Sequence, residues 1–467
     1  MPGVNEKISN APTARFSPTA TGKWFCAQLL ERGSTAKAIL VTSMQQFKEL
    51  VGSRVAYSVM WDAAQTFFEE GGSELFLARV VGATPVSASL VLKSTAEESL
   101  IVKAANPGEW GNTLEMTVAI VGGEEYTLTL SEGGVEIAKS PTLKTQLAAV
   151  AWAAEVVPSY ITIAVGSGTK SPTVLAAKAL SAGTYDAAHV EPAQWKAALA
   201  LFGPELGAGQ VSAPGITSST TQIAVEEHAE ANNRVALIDL TDSGVVATLT
   251  AAVSSLRTAT GARRSAAYTP WAKIPGLALE APRTVPYSAV QAGIIARNDA
   301  SATPPPVGEA PAGTAGRPRY AIGLTQEWTR AQREELNNGS VNVARTLPSG
   351  VIETYGNRTL VKPELEPAWQ EISAVRLYMY VLSAGEAELE GATFKNIDNR
   401  NILYSNVEGR LTGMLKNLGT MVEFYAVSTG PTVNTPAVRK AKEVRADVEV
   451  KAPQVAETVT LNLSVAA

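Results

Sequence analysis

The chain has 467 residues, 45% apolar and 6% aromatic, with 39 basic and 44 acidic side chains and a net charge of −5. That composition is not that of a disordered polymer, and with no basic stripe it excludes direct nucleic-acid binding. No apolar run reaches the ~18 residues of a membrane span, so membrane insertion is not expected, and the single cysteine, Cys26, rules out an internal disulfide.

Residues 1–20 hold three prolines and little periodicity, and read as an N-terminal arm. The start, "MPGVNEKISN", lacks the basic and apolar regions of a signal peptide, which points to a reducing cytoplasm or a particle assembled there. Met60, Ala63, Ala64, Phe67 and Phe68 recur at helical spacing. Gly71-Gly72 is placed to stop that helix, and Leu75–Val81 follows as a buried strand.

Near residue 85 the pattern changes. "LEMTVAIV" (114–121) and "EYTLTL" (125–130) alternate strictly, and Gly133-Gly134 predicts a hairpin turn into "VEIA". Residues 86–195 are therefore expected to form a β-rich insertion with one Ala-rich helix, "TQLAAVAWAAEVV". From 196 the α/β pattern resumes: helix, Asn232-Asn233, strand Val235–Leu240, then "TLTAAVSSLRTATG" as a helix ended by its glycine. The Pro/Gly-rich stretch 300–318 is a long functional or mobile loop. Helices are expected in "TRAQREELNNG", Trp369–Glu386 and Val407–Leu418, and a strand in "VRADVEVKA" (444–452). The fold class is α/β (α+β) and multidomain: 21–85 plus 196–355 as a core, 86–195 as the insertion, and 356–467 as a C-terminal domain.

Enzyme signatures are sparse. His189 and His228 lie in unrelated contexts, with His228 on an expected solvated helix face, and acid–base work needs a partner in reach. Cys26, between Phe25 and Ala27, reads as a small buried hydrophobe. "GEAPAGTAG" lacks the Lys-Ser/Thr of a phosphate loop, so no nucleotide, other cofactor or metal is expected. Asp239 and Asp242 follow a strand where α/β enzymes keep catalytic acids. With no further ligand or base nearby in sequence, helix capping by Asp242 is the better account.

The last twelve residues, "AETVTLNLSVAA", alternate Val459, Leu461, Leu463 and Val465 with polar side chains. A strand without an obvious local partner can add to another molecule's sheet, and 458–467 carry neither the charge nor the proline that blunts an edge. The alternative is antiparallel pairing with 444–450 in the same domain.

Several motifs together resemble the contractile tail sheath proteins of bacteriophages, related to R-type bacteriocin and type VI secretion sheaths. They are "EEGGSELFLARVV" (69–81), "NPGEWGNTLEM" (106–116), "VSAPG" (211–215), "RTVPYSAVQAGIIARND" (283–299), "LNNGSVNVAR", "YGNRTL" (355–360) and the closing "VNTPAVRKAKEVRADVEVKAPQVAETVTLNL". Tyr287 and Tyr355 depart from the family pattern, and residues 120–195 match least, as a variable insertion would.

The resemblance implies a structural subunit, not an enzyme, that polymerises with itself as helical rings around a tail tube protein. Baseplate and tail terminator proteins would be its other partners. It would be assembled in the host cytoplasm and reside in the virion tail. It further implies that the N-terminal arm (Val4, Ile8) and the terminal strand 456–467 (Val459, Leu461, Leu463, Val465) join sheets of neighbouring subunits. Arg410 and Lys416 in "VEGRLTGMLKNL" are candidates to face the tube. Contraction from a metastable extended state would draw on added inter-subunit burial, at ~25 cal/mol per Å² of apolar surface. Two other readings are a hydrolase-like α/β enzyme with a β-rich substrate domain, using Asp239 or Asp242, and an exported adhesion protein.

Overall fold

The computed structural model describes residues 21–278, 280–362, 364–397 and 401–456. The inter-subunit candidates Val4, Ile8, Val459, Leu461, Leu463 and Val465 lie outside the described residues.

An eight-stranded sheet organises the body, in the order Ile352–Tyr355, Val341–Thr346, Ser265–Thr269, Val235–Asp239, Gln210–Ser212, Trp24–Leu29, Leu75–Val80 and Ile39–Val41. The six inner strands are parallel, and the two edge strands run antiparallel to their neighbours. Both faces are covered, so successive side chains enter opposite cores. Trp24, Cys26, Leu75 and Leu77 face one apolar cluster, while Phe25, Ala27, Phe76 and Ala78 face the other. Helices Met44–Val51, Met60–Glu69 and Tyr287–Asp299 close the first face. Pro192–Leu199, Ser219–Ala231, Val246–Leu256 and Arg330–Asn338 close the second.

Helix Met60–Glu69 buries Met60, Ala63, Ala64 and Phe67 as its spacing requires. It ends in paired backbone bonds, Gly72 N–H to Phe67 O at 2.9 Å and Gly71 N–H to Phe68 O at 3.0 Å. Gly71 takes φ 109°, which a side chain would resist. Helix Val246–Leu256, by contrast, stops before its expected glycine, which sits in the 3₁₀ turn Thr260–Arg264. A Cβ on Gly261 would lie 2.0 Å from the Glu226 carbonyl oxygen, so the glycine permits close backbone approach instead of ending a helix.

The Pro/Gly-rich stretch packs against strand Ile352–Tyr355, where a Cβ on Gly316 would lie 3.0 Å from the Thr354 side chain. Gln291, Asn298 and Arg297 on one helix donate to the carbonyls of Pro311, Ala315 and Arg317 and pin it there. Val307, fully buried, reaches a separate cluster with Leu377, Tyr380 and Leu415.

The β-rich segment holds a third core, built on two sheets. One has the order Leu175–Ala179, Leu114–Gly122, Glu125–Glu132, Val135–Lys139, and the other Ser89–Lys93, Glu98–Ala104, Ile161–Val165. Gly133 and Gly134, at φ 55° and 81°, form the tight turn expected from their sequence. Helix Pro192–Leu199 straddles the boundary drawn at residue 195 and packs Trp195, Ala198 and Leu199 against the large sheet.

Arg79 ties this segment to the body. Its buried guanidinium donates to the carbonyls of Leu30 (3.0 Å), Glu31 (2.9 Å), Gly33 (3.3 Å) and Pro107 (2.6 Å). Burial lowers its pKa to about 10, so it stays charged at neutral pH. Asn112 exchanges two hydrogen bonds with the Gly183 backbone, and Gly82 N–H meets Tyr185 O at 2.8 Å. Arg79→Met should therefore strand four carbonyls and destabilise the joint by about 3 kcal/mol. Limited proteolysis checks this: cleavage within 82–87 or 181–187 should accelerate in the variant, and an unchanged pattern would refute it.

Candidate assembly interface

Helix Ile372–Glu390 leaves the body partway along its length. Ile372, Val375 and Met379 belong to the large-sheet core, whereas Leu377, Tyr380 and Ala384 belong to the smaller C-terminal cluster. Helix Ile402–Asn417 packs beside it through Leu411 and Leu415, while Leu403 and Val407 join Leu411 in a further small cluster with Ala392 and Val427. The first helix runs three residues later at its start and four further at its end than the expected Trp369–Glu386, and the second begins five residues before the expected Val407–Leu418, where Leu403 and Tyr404 are buried, and ends one residue short of it.

Against these helices lies a two-stranded antiparallel sheet, Phe424–Ser428 paired with Asp447–Lys451. Tyr425, Val427 and Val450 are half-buried on its inner face. Phe424 (49% exposed), Ala426, Glu449 and Lys451 point outward. Among the described residues neither outer edge of this sheet has a strand partner. A two-stranded sheet of this size is marginal alone, and its free N–H and C=O groups are a template for further strands. The partner of 447–451 found here is a strand that the sequence analysis missed, although "FYAVS" alternates. The proposed pairing of 444–450 with the terminal strand falls outside the described residues.

The tube-facing candidates Arg410 and Lys416 both sit exposed on helix Ile402–Asn417. Six positions apart, they do not share a face, and Arg410 Nη1 donates to Glu388 O at 3.4 Å.

The candidate catalytic acids have structural roles. Asp239, only 2% exposed, accepts from Ser288 Oγ (2.6 Å), Ser288 N–H (2.8 Å) and Gly215 N–H (3.0 Å). Burial raises its pKa to about 6, against the pull of those donors. It ties the sheet to the start of helix Tyr287–Asp299. Asp242 is not a helix cap: it accepts from Thr325 Oγ1 at 2.6 Å, while Ser243 Oγ accepts from Val245 N–H. A side chain four residues ahead of the helix start takes a tertiary donor instead.

His228 is not on a solvated face. Its Nε2 lies 2.7 Å from Nη1 of buried Arg234, and burial with that charge lowers its pKa to about 3. His189 pairs with Asp186 at 2.7 Å, which raises the imidazole pKa. Cys26 is fully buried, and burial raises its thiol pKa. No group of His, Cys, Asp and Glu among the described residues could hold a metal ion.

No family model and no curated protein sequence matches the chain. Its structure, however, is similar to the sheath tail protein of Listeria innocua, with a TM-score of 0.62 at 12% identity over 90% of both chains. The sheath tail protein of Desulfitobacterium hafniense gives 0.58 at 14% identity, covering 91% of this chain and 93% of that one. The helical sheath of the anti-feeding prophage in its contracted state gives 0.57 at 16% identity, covering 99% and 98%.

Proposed function

We propose that this chain, which has the fold of contractile sheath proteins, is the structural subunit of a contractile tail sheath. Subunits polymerise as helical rings around an inner tube and contract to drive it through a cell envelope. The observation that carries this reading is the two-stranded sheet that has no further strand at either edge among the described residues, at the point where the chain runs on toward its apolar, alternating terminal segment. Neighbouring copies would complete it with residues 1–20 and 456–467. Backbone pairing of this kind holds subunits together while their bodies rotate, because hinge residues absorb the change.

The expected division follows: body 21–85 and 196–355, outer insertion 86–195, and C-terminal unit 356–467. A tube, a baseplate and a terminator are its partners, with Arg410 and Lys416 the tube-facing candidates. A hydrolase reading finds no support at Asp239, whose carboxylate is enclosed and already engaged by three donors.

The test compares the full chain with one ending at Pro453 by negative-stain electron microscopy. The full chain should give tubes or rings of constant width, and the shortened chain should stay folded but lose them. Polymers of the same width from both would overturn the role of the terminal strand.

A further inference from the structure

Phe394 is fully exposed, at a φ of 62°, on the segment that follows helix Ile372–Glu390. Exposed Lys395 stands next to it. With Leu389 and Ile397 beside it, the solvated ring belongs to an exposed apolar patch, the kind of surface that meets a partner.

On the flank of the same helix is a cleft of about 450 Å³ between its C-terminal half and the body. Its apolar wall comes from Pro204, Ala208, Ala231 and Ala387. Glu205, Glu386 and Glu390, all exposed, supply its charge, and no lysine or arginine lines it. A cavity of about 150 Å³ already admits a benzene ring, so the cleft has room for a phenyl ring with a lysine stem beside it. It is not filled by its own Phe394, since that ring is entirely in solvent.

We propose that Phe394 and Lys395 of one subunit insert into the acidic cleft of a second copy of this chain. Burial of the ring supplies the attraction, and the lysine set against three carboxylates fixes orientation. The tip and the cleft are different surfaces, and a head-to-tail contact between them generates a ring where its rotation closes and an open helical series where it does not. This rests on the reading of the chain as a self-polymerising subunit, and it adds a side-chain contact to the strand exchange.

A cysteine pair tests it in the full chain. Thr393→Cys flanks the tip and leaves Phe394 in place, Ala387→Cys lines the cleft, and native Cys26 is buried. Mild oxidation of polymers carrying both substitutions should give a ladder of covalent multimers that neither single variant gives. Lys395→Glu should raise the protein concentration needed for polymer to form by roughly tenfold, and adding Glu386→Lys should restore most of it. Polymers of normal width with no ladder would overturn this contact alone. A chain that forms no polymer would overturn both this contact and the sheath reading.

Discussion

Asp299→Asn should cost the folded subunit about 3–5 kcal/mol, the scale for removing one partner of a buried ion pair. Asp299 ends helix Tyr287–Asp299, and one carboxylate oxygen pairs with Arg376 Nη2. The other accepts from Thr21 Oγ1 at 2.5 Å, while Gln210 Nε2 holds the Thr21 carbonyl at 2.6 Å. The side chains of Asp299 and Arg376 are only 5% and 1% exposed, so water cannot replace the lost charge. One carboxylate thus joins three parts: the first described residue of the chain, the packed body, and the helix that carries the C-terminal unit. Urea unfolding of the two proteins gives the measurement, as a fall in midpoint. A paired Asp299→Leu, Arg376→Met variant should recover much of the loss, because apolar side chains of similar volume carry no desolvation penalty. An asparagine variant within 1 kcal/mol of the parent would show that the pair does not hold the three parts together.

Glu226→Gln should do the opposite and stabilise. Glu226 is fully buried on helix Ser219–Ala231, and neither carboxylate oxygen has a hydrogen-bond partner. Burial first, then the like charge of Glu227, raises its pKa from 4.5 to about 8. Below pH 4.5 both folded and unfolded states carry the proton. Between there and about 8 only the folded state does, so stability falls as pH rises through that window. Past about 8 the loss is complete, since a bare carboxylate is then enclosed without a partner. The amide removes the titration, and at pH 9 the gain should be roughly 2 kcal/mol. Thermal unfolding of both proteins from pH 6 to 9 checks it. Parallel pH dependences would mean that Glu226 has a partner or reaches water.

These two carboxylates show how differently the same residue type can end up. In the sequence, Asp299 closes "IIARND" and Glu226 opens "EEHAEANN", and nothing local distinguishes a paired buried acid from an orphaned one. The helix Met60–Glu69 with its Gly71-Gly72 stop, and the Gly133-Gly134 turn, were legible because their causes lie within a few residues. His228 and Asp242 were misjudged for the converse reason. Their partners, Arg234 and Thr325, lie beyond the end of the helix, six residues on, and 83 residues away.

By itself the sequence determined the alternation of α/β body and β-rich insertion, the buried faces of its most periodic elements, and a family likeness carried by short motifs. Period and turn chemistry act over one or two turns of chain, so they survive without tertiary information. Only the tertiary structure decided that Arg79 gathers carbonyls from two segments, that the Pro/Gly-rich stretch is pinned to helix Tyr287–Asp299, and that Phe424–Ser428 pairs with Asp447–Lys451. Each depends on segments brought together by burial, the last of them in the smaller C-terminal cluster, and the edges that lack a strand partner among the described residues exist only once the two strands have met.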